Sequence, residues 1–400
     1  MDSELFGLLV VAIIAAAAPL IVDIPRSVRI PVVVVEILAG IIVGPHVLDL
    51  VQPDALIVFL SSVGLAFLFF LAGMEIDFLQ IRGQPAKLAV WGWFFSLALA
   101  LAIAGVLQAT GFVLSTLLIG VALSTTAIGT LMPILRDAGE LDTPLGPFTL
   151  AAGVAGEFGP IIAISLLLSQ AAGPGVNAVI LIAFAVISLG LGILALRARP
   201  NRVVRTIERT MDSSGQFAVR LAILILVALV YLTERFGLDV VLGAFAAGII
   251  VGLVTKTEAA EPVRLKLEGI GFGFFIPIFF IVSGVKFDLP ALFASVESIL
   301  RLPLFLALFF IVRGAPVLLF YRKDVPRPDR LPLMLTSATA LPLVVAVTEI
   351  GLEEGRMLPE NAAALVGAGM VSVLVFPLIA IQLRGKRLAR NPATASREGF

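Results

Sequence analysis

Two charged residues stand where charge is expensive. Glu157 lies deep in an otherwise apolar stretch, Pro147 to Gln170, and Arg313 lies in the middle of another, Leu302 to Tyr321. Each stretch is long enough to cross a bilayer. Burying such a charge there costs roughly 2.5–3.5 kcal/mol on insertion scales. It therefore needs a partner, a water-filled cavity or a task. A carboxyl group withdrawn from water can hold a proton or sit against a metal cation, but not both at once. A guanidinium stays charged at every accessible pH and cannot carry the proton itself. Opposite charges in two different spans predict a polar site at the bilayer midplane.

Hydroxyls and prolines mark the same region. One span carries Ser124, Thr125 and Thr126, followed by Gly129 and Pro133, and a later one carries Thr336, Ser337, Thr339 and Pro342. Proline removes a backbone donor and clashes with the preceding turn, freeing carbonyls that a hydroxyl or a cation can use. Polar, proline-interrupted spans at matching places in two halves point to a midplane binding site. Half-helix ends there would offer partial charges to an ion. The plainer reading is that Ser and Thr let membrane helices pack closely.

The elements that must position these residues follow from composition. The chain is 60% hydrophobic and only 14% charged, far from the quarter charged that is usual in soluble proteins. Apolar runs begin near Leu5, Ile30, Ala55, Ala86, Phe112, Leu145, Asn177, Phe217, Leu238, Lys266, Leu302, Leu331 and Asn361. At about 20 residues per crossing they predict thirteen transmembrane helices, the second and ninth short. No β-barrel alternation is visible. Lys and Arg concentrate in the odd-to-even loops, above all Arg197 to Arg209, and in the C-terminal tail that includes Arg384. The opposite loops hold Arg235, Lys286, Arg301 and Arg356. The positive-inside rule then puts the N-terminus outside and the C-terminus in the cytoplasm. The acidic start, without a basic n-region, reads as a retained first helix. Six spans precede the seventh and six follow in opposite orientation, the inverted-repeat construction of secondary transporters. The net charge of zero gives no reason to expect a nucleic-acid partner, and the absence of Cys excludes thiol chemistry and disulfides. With a single histidine, His46, and no nucleophile–base pair, nothing suggests an enzyme.

Several segments together resemble the monovalent cation:proton antiporter-2 family. They are EILAGIIVGP (Glu36–Pro45), FLFFLAGMEID (Phe67–Asp77), ALSTTAIGTLMPILRDAGELDTPLG (Ala122–Gly146), VLGAFAAGIIVG (Val241–Gly252) and FFIPIFFIVSGVKFDL (Phe274–Leu289). The resemblance runs through nearly the whole chain, in order. It implies an all-α integral membrane protein of the Na+/H+ antiporter fold: two inverted six-helix repeats, a linker helix, and two crossed broken helices. On that pattern residues 1–84 and 217–300 form a dimerisation scaffold, and 85–172 and 301–385 a mobile core. Residues 173–216 form the linker helix and basic loop, and 386–400 a short cytoplasmic tail without the Kef-type regulatory domain.

The resemblance also implies exchange of Na+ or K+ for H+ by an elevator-type mechanism in a homodimer, in the inner cell membrane. No cofactor is implied beyond the transported ions. The family's ion site, a pair of adjacent polar or acidic residues in the sixth span, falls on Gly156 and Glu157. Here Gly has replaced the first polar side chain and Glu stands in for the usual Asp. The family's basic residue falls on Arg313, and Leu341-Pro342-Leu343 stands where many members carry Gly-Glu. Glu157 is expected to be the shared proton and cation site, with Thr125 and Thr126 as further oxygen ligands. Ser124, Gly156, Arg313, Ser337 and Thr339 are expected to support it. Arg313 either neutralises Glu157 in one state or pins core helices, and a single titrating carboxylate predicts electroneutral exchange. Glu36, midway along a short span, and Glu75, at the end of the third, are secondary candidates. The missing polar side chain at position 156 keeps an organic-solute or anion transporter of the same fold as the alternative.

Overall fold

The computed structural model describes residues 2–22, 31–75, 83–141, 143–167, 216–255 and 261–390, with positions 186 and 190. Every regular element among them is helical. The helices are α1 (Asp2–Val22), α2 (Val32–Val43), α3 (Ala55–Glu75), α4 (Gln84–Ala109), α5 (Thr116–Leu123), α6 (Ile128–Asp137) and α7 (Gly146–Leu167). They continue with α8 (Phe217–Arg235), α9 (Val240–Thr255), α10 (Glu261–Ile270) and, after a π-helical turn at Gly271–Phe275, α11 (Ile276–Val285). After a short helical turn at Leu289–Phe293, the last are α12 (Val296–Phe320), α13 (Arg327–Ser337), α14 (Pro342–Glu353) and α15 (Pro359–Arg390).

Among the described residues, 9 helical stretches are long and apolar enough to cross a membrane, and the shorter apolar ones are Val32–Val43, Thr116–Met132 and Val240–Thr255. The expected spans all have a counterpart here except the seventh, which apart from positions 186 and 190 falls outside the described residues, as does most of the basic loop after it. Burial sorts the spans. Only 17% of the α1 span is buried, whereas the α13–α14 stretch is 94% buried. Leu9 and Ile13 on α1, Trp91 and Phe94 on α4, and Leu224 and Val227 on α8 are exposed. Large apolar side chains standing outward along whole helices are what a lipid solvent selects.

Helix ends follow local rules. Gly111, at φ 77°, closes α4 in the left-handed conformation, with Phe112 N donating to Leu107 O. Gly355, at φ 65°, closes α14 in the same way, with Arg356 N donating to Gly351 O. These are Schellman closures, in which a residue without Cβ takes the turn at least strain. Ser115 caps α5 and Ser295 caps α12, each accepting a bond from a backbone amide three residues on.

The chain divides into two compact units. Unit 1 comprises Met1–Ile21, Glu36–Ile76 and Ile161–Lys286, and unit 2 comprises Val22–Val35, Asp77–Pro160 and Phe287–Phe400. In unit 1, glycine-on-glycine crossings fix the packing. Gly40 of α2 lies against Gly284 of α11, and Gly73 of α3 lies against Gly248 of α9. At each, a Cβ would overlap the facing backbone, at Ile281 O and Ile37 O in the first pair and at Phe245 O and Phe70 O in the second. Gly252, one turn beyond Gly248, meets Met74, so the GxxxG step is a true close contact. Val11, Val43, Ile57, Ile281 and Val282 complete this core.

Candidate functional site

The site lies in unit 2, where both proline-and-hydroxyl spans are interrupted. The first break separates α5 from α6 at residues 124–127, and the second separates α13 from α14 at residues 338–341. Ser124 and Thr125 turn their hydroxyls back on the carbonyls of Val121 and Ala122, at 2.9 and 2.8 Å. This satisfies the last carbonyls of α5 and stops the helix. The break therefore falls at the hydroxyl run, and Pro133 sits inside α6. In the second span proline is the direct agent: Pro342 opens α14 at its first position, where its missing N–H is not needed.

The breaks are tied to each other. Ala127 N donates to Thr339 O at 2.8 Å, and Thr126 Oγ1 donates to Ser337 O. Ser372 on α15 supports the second break, accepting from Ala340 N and donating to Ala340 O, both at 3.0 Å. Neither α6 nor α14 has a side-chain cap. Two helix N-termini, carrying partial positive charge, and two C-termini, carrying partial negative charge, thus open at the interruptions.

Arg313 threads α12 into this arrangement and is 4% exposed. Its Nε donates to Thr126 Oγ1 at 2.9 Å and to Ser337 O at 3.3 Å. Nη1 donates to Ser96 Oγ of α4 at 3.4 Å, and Nη2 to Ala152 O of α7 at 2.9 Å. Ser96 returns a bond to Val312 O at 2.9 Å. One guanidinium therefore joins α4, α7, α12 and both breaks. Its partners are neutral oxygens, and one of them is a C-terminal carbonyl of α13, where a cation is favoured. No ion pair of Arg313 occurs among the described residues.

Glu157 is 5% exposed on α7. The residue before it fixes its place: Thr126 N donates to Gly156 O at 2.8 Å, so the carboxylate-bearing turn is fastened to the first break. A Cβ at Gly156 would collide with Thr126 Oγ1 and with Arg313 Nη2. Position 156 therefore has no room for a side chain, because the guanidinium and the threonine fill the space. Two residues on, Gly159 admits the ring of Trp93, whose buried Nε1 has no hydrogen-bond partner among the described residues.

Of the expected site residues, Thr126, Gly156, Arg313, Ser337 and Thr339 join in this one network, whereas Ser124 and Thr125 bond back onto the last turn of α5. Glu36 belongs to unit 1; it is 3% exposed and has no hydrogen-bond or ion-pair partner among the described residues. Glu75 is exposed at the end of α3, and His46 is exposed in the segment after α2.

Two buried arginines were assigned by sequence to solvent and prove otherwise. Arg301, expected in an outer loop, lies inside α12 and is bonded to Asn361 Oδ1. It also pairs with Glu297 at 3.3 Å and lies over the Phe112 ring at 4.3 Å. Arg384, expected in the tail, is inside α15, 5% exposed, and pairs with Glu140 and with Asp329, the latter at 2.7 Å. Arg384 and Glu140 border a cleft with Thr149 and Thr336. Apart from Glu297, one turn from Arg301, the partners lie far away in sequence, so no local pattern announces them.

Comparison with known proteins adds four findings. The model of the family described as "Sodium/hydrogen exchanger, transmembrane" matches residues 10–383. A putative Na(+)/H(+) antiporter, YjbQ, of Bacillus subtilis is 28% identical over 93% of this chain, which spans 62% of that relative's length. The Na(+)/H(+)-K(+) antiporter GerN of Bacillus cereus is 24% identical, over 92% of this chain and 93% of its own. The solved structure of the sodium proton antiporter MjNhaP1 from Methanocaldococcus jannaschii superposes with a TM-score of 0.68 and 15% identity, covering 96% of this chain and 97% of that one.

Proposed function

The chain belongs to the sodium/hydrogen exchanger transmembrane family, and from that premise we propose that it exchanges a monovalent cation, Na+ or K+, for H+ across a membrane. Its matched relatives are antiporters, not enzymes, and its fold is theirs. The observation that carries the reading is a buried carboxylate, Glu157, whose helix turn is bonded to a break between two half-helices.

The chemistry is competition. A carboxyl group shut away from water is least costly when neutral, and becomes anionic only against a compensating cation. An alkali cation shedding its hydration shell needs replacement oxygens, which carbonyls and hydroxyls freed at helix breaks can supply. Thr125 Oγ1 gives its hydrogen to Ala122 O, so its lone pairs remain to face a cation. Thr126 Oγ1 both donates to Ser337 O and accepts from Arg313, which makes its main task holding the breaks together. Arg313 acts as the brace of the core. Unit 2 carries the occupied site across by elevator-type alternating access, and the protein works as a homodimer in the cell membrane. One carboxylate titrating against one cation gives electroneutral exchange.

The test is Glu157→Gln in proteoliposomes loaded with a pH-sensitive dye. Wild type should release or take up protons on addition of Na+ or K+, at a rate independent of membrane potential, and the variant should not. Undiminished cation-driven proton flux in the variant would remove Glu157 from the mechanism.

A further inference from the structure

The hydroxyls at the two breaks are almost all committed. Ser124, Thr125 and Thr126 donate to the carbonyls of Val121, Ala122 and Ser337. Thr336 donates to Pro332 O and Thr339 to Leu335 O, while Ser372 is fully engaged with Ala340 and Gly369. Ser337 differs. It is 3% exposed, and its Oγ has no hydrogen-bond partner among the described residues. Buried hydroxyls ordinarily find a partner, and its neighbours show how readily one turns back onto the preceding helical turn. An uncommitted one, on a residue tied through Thr126 to the turn that carries Glu157, asks for a ligand.

Its position supplies one. Ser337 O accepts from Thr126 Oγ1, and Thr126 N donates to Gly156 O, so a single residue separates Ser337 from the turn that bears Glu157. On the first-half side Thr125 keeps lone pairs for a cation, but position 156 and Thr126 add no further oxygen. Position 156 is filled by Arg313 and Thr126, and the Thr126 hydroxyl is bonded on both sides. We propose that Ser337 Oγ is the second-half ligand of the transported alkali cation. In the cation-bound state its lone pair faces the ion. In the proton-bound state the carboxyl O–H of Glu157 donates to it. One proton leaves to water as one cation enters, so the charge of the site is unchanged. The assignment rests on Glu157 being the shared site.

The experiment measures the KM for Li+, Na+ and K+ and the maximal rate in proteoliposomes of wild type, Ser337→Ala, Ser337→Thr and Glu157→Gln. Loss of one ligating oxygen should raise the KM of Ser337→Ala for the preferred cation by about 10-fold, the equivalent of about 1.4 kcal/mol. Its maximal rate should stay within about twofold. Ser337→Thr, which keeps the hydroxyl, should stay within about threefold of wild type in KM. An unchanged KM for every cation in Ser337→Ala, or equal shifts in both Ser337 variants, overturns the assignment and leaves the role of Glu157 standing. Full exchange by Glu157→Gln removes the premise itself.

Discussion

Replacing Arg313 with lysine keeps the positive charge and removes the planar fork. The guanidinium reaches four acceptors in different directions: Thr126 Oγ1 and Ala152 O at 2.9 Å, Ser337 O at 3.3 Å and Ser96 Oγ at 3.4 Å. An ammonium is a single point and can retain one of the two short contacts. A hydrogen bond from a charged donor contributes about 1.5–3 kcal/mol. Losing one short bond outright and weakening the longer pair should therefore destabilise unit 2 by about 2–3 kcal/mol. Denaturant unfolding in detergent, followed by the fluorescence of Trp91 and Trp93, measures this. Trp93 packs on Gly159 of α7 and so reports directly on the braced region. If Arg313 is a brace, the variant loses stability while the KM for the cation changes less than about threefold. A variant as stable as wild type but unable to exchange would refute the brace and make Arg313 an electrostatic partner of the ion site.

Other perturbations follow from the same geometry. Gly156→Ala forces a Cβ into Thr126 and Arg313, and should lower thermal stability by about 1–3 kcal/mol, with a loss of exchange rate read in vesicles. Gly248→Val drives a side chain into Phe70 O and the Gly73 backbone of α3; it should lower the detergent melting temperature of the protein, with Gly269→Val, which meets nothing, as the neutral control. Glu36→Gln exchanges a buried carboxyl for an amide of the same size, and should keep both folding yield and cation-driven proton flux.

The fold was largely legible because membrane solvation acts on whole helices. Apolar runs of sufficient length marked the described spans, and proline beside hydroxyls marked the two that are broken. Where the sequence reading was coarse, the reason is local competition. Pro133 looked like the cause of the first break, yet the hydroxyls of Ser124 and Thr125 close α5 well before it. Glu157 and Arg313 stood out because each is a lone charge in an apolar span. Their relation did not, since the guanidinium turns to Thr126, Ser337, Ser96 and Ala152, partners that no spacing rule connects. The same holds for Arg384 with Asp329, 55 residues apart, whose pairing exists only once α13 and α15 are packed. Gly156 was read as a missing ligand; its reason is steric and appears only when Arg313 is in place.

Cation-driven proton movement in liposomes containing wild type or Glu157→Gln tests the central claim most directly. Wild type should show a pH change on each addition of Na+ or K+ that a potassium–valinomycin potential neither speeds nor slows, and the variant should show none. Equal responses from the two would contradict the assignment of the buried carboxylate as the group that proton and cation occupy in turn.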